Sequence, residues 1–139
     1  MTISQAATAH PFLVEPAGGE VVMQGPLGVV TKIPGPATNG VMSIVEHPIA
    51  ARLLVPPHVH QDHDEWSYIL EGRIGARVGD DEFIAEAGSY ILKPRKIPHV
   101  FWNPDDQPAR IGDTLEFLDE VSGKLSISVA YEPDVVDIL

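Results

Sequence analysis

An all-β fold, a sandwich or barrel of short strands, is what this sequence predicts, on three observations. Helical periodicity is almost absent. Short runs rich in Val, Ile and Leu recur instead, each bounded by Gly, Pro, Asn or Asp. The 13 Pro and 12 Gly are spread between those runs, so they read as turn punctuation rather than as a disordered tract.

In chain order the predicted strands are Val21–Met23, Leu27–Lys32, Val41–Glu46, Ala51–Val55, Trp66–Leu70 and Arg73–Val78, followed by Glu82–Ala85, Ser89–Lys93, His99–Trp102, Ala109–Ile111, Thr114–Leu118 and Leu125–Tyr131. Gly79-Asp80-Asp81 is a hairpin connection, and Glu71-Gly72 is a second tight turn. The stretch from Pro34 to Gly40 is the longest loop of the first half and reads as a surface connection. No repeat or low-complexity tract interrupts the pattern.

With 139 residues, the chain fits one domain, 1–139, with one core. Its net charge is −11, from 20 acids against 9 bases, and its longest basic cluster is Lys93, Arg95 and Lys96. A phosphate-neutralising surface needs more clustered cations than that, which argues against nucleic acid as a partner. Lys93, Arg95 and Lys96 read as a solvated loop. With no Cys, thiol chemistry and disulfides are excluded. The first 16 residues have no signal-peptide pattern and no apolar run approaches a bilayer span, so the expectation is a cytoplasmic protein with no membrane partner.

Chemistry is concentrated in the middle of the chain. Five of the six histidines fall between His47 and His99, three of them within His58-Val59-His60-Gln61-Asp62-His63. On a strand, residues two apart face the same way with Cα atoms roughly 6.6 Å apart, so His58 and His60 can aim at one metal ion. Asp64-Glu65 follows and offers a carboxylate as third ligand. Imidazole with carboxylate suits Fe, Mn, Ni, Co, Cu or Zn better than Mg or Ca. His63 reads as a loop side chain, and His10 and His47 as surface residues.

The spacing continues beyond that pair. His58-x-His60, four residues, Glu65, six residues and Gly72 make one segment. Gly88, five residues, Pro94, then Pro98-His99, three residues and Asn103 make another. Together they resemble the two signature motifs of the cupin superfamily, at 58–72 and 88–103, with a compact intermotif stretch from Arg73 to Ala87. The segments Asn39–Glu46 and Asp64–Gly72 are also similar to small quercetin-dioxygenase-like cupins. One departure is Lys96, which stands where the second motif usually has a turn glycine.

The resemblance implies a double-stranded β-helix, the jelly-roll cupin barrel, holding one divalent transition metal ion through His58, His60, Glu65 and His99. It also implies a small-molecule substrate and dioxygenase-type oxidoreductase chemistry, with Glu65 as catalytic base. A non-redox cupin enzyme (isomerase, decarboxylase or lyase) and a binding module without turnover are the alternatives. Strand parity counted from the ligands puts Leu54, Ile69 and Phe101 in the pocket lining, with core packing as the other reading of Ile69 and Phe101. Strand edges in such a barrel need cover, which points to a homodimer.

Overall fold

The computed structural model describes residues 11–118, and these contain ten β-strands and one short 3-10 turn, Gly35–Thr38. The strands are β1 (Glu20–Gln24), β2 (Leu27–Ile33), β3 (Met42–Ile49), β4 (Leu54–His58), β5 (Asp64–Glu71), β6 (Arg73–Val78), β7 (Asp81–Glu86), β8 (Tyr90–Lys93), β9 (His99–Trp102) and β10 (Ala109–Glu116). One antiparallel sheet has the order β1-β2-β3-β10-β5-β8, and the other β4-β9-β6-β7. From β3 onward the chain alternates between the two sheets, except at the β6–β7 hairpin, so each sheet is stitched from strands distant in sequence. This is the jelly-roll architecture, with two sheets that do not close edge to edge. Among the described residues no helix is long and apolar enough to cross a membrane.

Period-two alternation sets the inner faces. In β5 Glu65, Ser67 and Ile69 are buried, while the residues between them are only half-buried. Ile49, Ile69, Ile91 and Ile111 from the larger sheet meet Ile74, Ala76 and Phe101 from the smaller one in a single core. Local turns hold the strand ends: Gly72, at φ 77, sits between β5 and β6 where an added Cβ would lie 2.9 Å from the Ala109 Cβ.

Two elements differ from the sequence reading. The runs Ala109–Ile111 and Thr114–Leu118 form one strand, β10, because Gly112-Asp113 continues the ladder to β3 and β5 instead of turning. The fourth strand lies three residues later than predicted, at Leu54–His58, and carries a bulge. The predicted strand Leu125–Tyr131 and His10 lie outside the described residues.

Candidate metal centre

The bulge places the first histidine. β4 pairs with β9 so that Val55 lies opposite Phe101 and His58 opposite His99. Two residues, Pro56 and Pro57, span on β4 what Val100 alone spans on β9. Neither proline has an N–H to give to the ladder, which is why the extra residue is accommodated there. The extra residue inverts strand parity, so the neighbour in phase with His58 is Val55. Leu54 is therefore not a lining residue: it is 58% exposed, and Val55 faces the cavity instead. Phe101 lines the cavity as expected, whereas Ile69, fully buried, belongs to the core beneath it.

His58, His60 and His99 converge. Each offers one ring nitrogen, and these nitrogens lie within 4.8 Å of one another. The His58 and His99 ring centroids are 4.3 Å apart, and His60 is 5.2 and 5.3 Å from the two. His58 Nδ1–H donates to the Pro56 carbonyl at 2.8 Å, which leaves Nε2 with its lone pair for a cation. The Lys96 N–H holds the His60 carbonyl at 2.7 Å, and Lys96 itself sits at φ 67, the left-handed conformation a turn glycine would adopt freely. His63 stacks on His60 at 4.3 Å between ring centroids, so it is part of the cluster's wall.

Glu65 enters from the opposite sheet. Its Oε1 lies 3.6 Å from His60 Nε2 and 3.4 Å from His99 Nε2. Burial alone would push the Glu65 carboxyl up. The contacts with His99 and Lys93 outweigh it and hold the group well below the usual carboxylate range. Burial pushes the His60 imidazole down, Glu65 only partly opposing it, so His60 favours the neutral form that can ligate.

The donor set fits a divalent transition metal on one further observation. Both ring nitrogens of His99 are buried without a hydrogen-bond partner. An unpaired buried polar atom costs about 1–3 kcal/mol, and a cation at the focus of the three imidazoles would engage the His99 nitrogen that faces it.

Three polar side chains around the cluster, His47, Lys93 and Asp113, escape strand-by-strand reading. His47, read as a surface residue, is 7% exposed because β10 runs alongside β3 and puts Asp113 beside it. Its Nδ1 meets the Gly28 carbonyl at 2.9 Å and its Nε2 meets Asp113 Oδ2 at 3.2 Å. Burial opposes its charge, but Asp113 and Gly28 prevail and raise its pKa above the ordinary value. Ser67 donates to Asp113. Lys93, expected on a solvated loop, is 3% exposed, with Nζ 2.9 Å from Glu65 Oε1 and 3.7 Å from Asp113 Oδ1. Arg95, also expected on a solvated loop, is largely covered, its side chain 14% exposed with Nη2 3.2 Å from Asp64 Oδ2. The available signal was alternation: Lys93 shares a phase with Ile91, and Asp113 one with Ile111 and Leu115.

These groups surround a cavity of about 400 Å³ between the sheets. His47, His58, His60, Glu65 and Asp113 form its polar wall, and Val55, Phe101 and Leu115 part of its apolar wall. Asn103 is not part of it. Its amide donates to the carbonyls of Gln107 at 2.7 Å and Ala50 at 3.2 Å, closing the turn after β9.

Comparison with known proteins agrees with this geometry. The cupin domain family matches residues 50–117. Among solved structures, a protein described as a predicted oxalate decarboxylase from Thermotoga maritima superposes with a TM-score of 0.70 at 15% identity, covering 77% of this chain and 100% of its own. An RmlC-like cupin from Shewanella frigidimarina gives 0.64 at 17% identity, covering 78% and 93%. The cupin domain of Schizosaccharomyces pombe Cnp3 gives 0.63 at 15% identity, covering 71% and 69%. At these identities the likeness is one of fold, and together with the domain match it supports the cupin superfamily. No curated protein sequence matches the chain.

Proposed function

We propose that this cupin-fold chain is a metal-dependent enzyme of the dioxygenase type, acting on a small organic molecule in the cavity between its sheets. His58, His60 and His99 hold one divalent transition metal ion, with the Glu65 carboxylate beside them as the fourth donor. The observation that carries the reading is the convergence of three imidazoles, His58 and His60 on the cavity wall and His99 behind them, with the buried ring nitrogens of His99 making no hydrogen bond. When bound, such an ion supplies Lewis acidity and open positions for the substrate and a co-reactant.

The chain's own residues do the rest. Val55, Phe101 and Leu115 exclude water and fit an apolar substrate body, in a volume within the usual range for small-molecule sites. Glu65, held as a carboxylate on the cavity wall, is the base for a proton from an acidic substrate hydroxyl or C–H. His47 and Asp113, paired with each other, complete the polar wall on that side.

The Glu65–Lys93 pair favours one second reading, proton-transfer chemistry without dioxygen, as in an isomerase, decarboxylase or lyase. Metal analysis of the purified protein by plasma mass spectrometry, beside the His58→Ala/His99→Ala variant, tests the common premise. Close to one equivalent of iron, copper, nickel, cobalt, manganese or zinc, lost in the variant, supports it; no metal after reconstitution with each ion overturns it. Oxygen uptake across a panel of small enols, phenols and hydroxy acids then separates the two readings.

A further inference from the structure

Lys93 is a buried lysine beside the histidine cluster, and its position is unusual for a site that must accept a dication. In the β5–β8 register it lies directly opposite Glu65, with both side chains on the inner face. Its Nζ is 2.9 Å from Oε1, the same carboxylate oxygen that approaches His60 and His99 at 3.6 and 3.4 Å. Lys93 is 3% exposed and Glu65 6%, so water does not screen the pair.

We propose that Lys93 is a built-in competitor of the metal ion: it claims the metal-facing oxygen of Glu65 and so weakens cation binding at the three-histidine cluster. This rests on the reading that the cluster takes a divalent ion. A charge-assisted hydrogen bond of this length draws electron density from the oxygen that would otherwise donate to the metal. The ammonium also places a positive charge beside the cation position in a water-excluded site, where like charges repel far more than in water. Asp113, 3.7 Å from Nζ and already accepting from Ser67 and facing His47, anchors Lys93 from behind. The outcome is a metal centre whose fourth ligand is held in reserve, suited to an ion that is loaded reversibly.

The test is cobalt(II) titration of the full chain, followed by calorimetry and by the cobalt d–d absorption. Removing the competitor in Lys93→Met, or in Lys93→Gln should the first variant fold poorly, is expected to tighten cobalt binding at least tenfold. The d–d band should shift as Glu65 joins the coordination shell. In a Glu65→Gln background the same substitution should lose most of that gain and leave the band unmoved, and Lys93→Arg should retain wild-type affinity. Equal or weaker cobalt binding by both neutral variants, in folded protein, overturns the inference alone when wild type binds cobalt and His58→Ala/His99→Ala does not. Absence of cobalt binding in every variant removes the metal reading and this inference with it.

Discussion

Asp113 Oδ2 lies 3.2 Å from His47 Nε2 inside the barrel, and the other ring nitrogen of His47 faces the Gly28 carbonyl. Both ring nitrogens therefore meet acceptors, an arrangement that favours the doubly protonated ring. Glu65 adds a further favourable charge, and Lys93, 3.7 Å from Asp113, balances the acids. Because the folded pKa of His47 is raised above its ordinary 6.5, its stabilising contribution is fully present below that pH. It is lost as pH rises through the higher folded value. Urea unfolding from about pH 5 to about pH 9 is expected to show wild type ahead of His47→Gln at the acid end, with the gap closing toward the alkaline end. A gap that widens with pH would contradict the pairing.

Metal binding should appear as stability. An ion that binds only the folded chain contributes about 2.7 kcal/mol at a hundredfold excess over its Kd, which for a domain of this size corresponds to a Tm rise on the order of 10 °C. Differential scanning fluorimetry with manganese, iron(II), nickel, cobalt and zinc is expected to show this rise for at least one ion. His99→Ala should abolish it.

The bulge at Pro56-Pro57 makes opposite predictions for two adjacent residues. Leu54 is 58% exposed, whereas Val55 packs against the core and lines the cavity. Leu54→Ser should change stability by less than about 0.5 kcal/mol. Val55→Ser should cost about 1–3 kcal/mol, from lost apolar burial and a hydroxyl placed among apolar neighbours. Chemical denaturation of the two variants checks the parity directly.

Gly75 lies opposite Trp102 in the β6–β9 register, and a Cβ there would meet the indole ring at 2.2–2.6 Å. Gly75→Ala must displace Trp102, which directly follows the cavity-lining Phe101 on β9; a cost of about 1–3 kcal/mol follows from overpacking. Gly35→Ala, where an added Cβ meets nothing within 4 Å, is the control and should be close to neutral. Equal midpoints for the two variants would refute the close approach.

Much of the site was legible in the chain. The His58-x-His60 spacing followed by Glu65 marks a ligand cluster, and the second motif resembles the segment that contributes His99. Three neighbours were not legible for a shared reason. His47 stands between Glu46 and Pro48, and Lys93 beside Pro94 and Arg95, so local composition describes both as surface. Asp113 follows Gly112 in what looks like a turn. Each is buried by a strand far away in sequence: Asp113 by the approach of β3 and β5 to β10, Lys93 by the pairing of β8 with β5.

Alternation of apolar residues, turn residues and the spacing of His58 and His60 are local properties, and by themselves they determined most of the strands, the all-β class and two of the converging imidazoles, while His99 came from the resemblance of the second motif. Which residues face the cavity depends on register between strands that sequence keeps apart. A single added residue at Pro56-Pro57 reverses that phase, because side chains alternate with a period of two. The placement of Lys93 against Glu65, and of Asp113 against His47, was decided only when the two sheets assembled and removed those charges from water together.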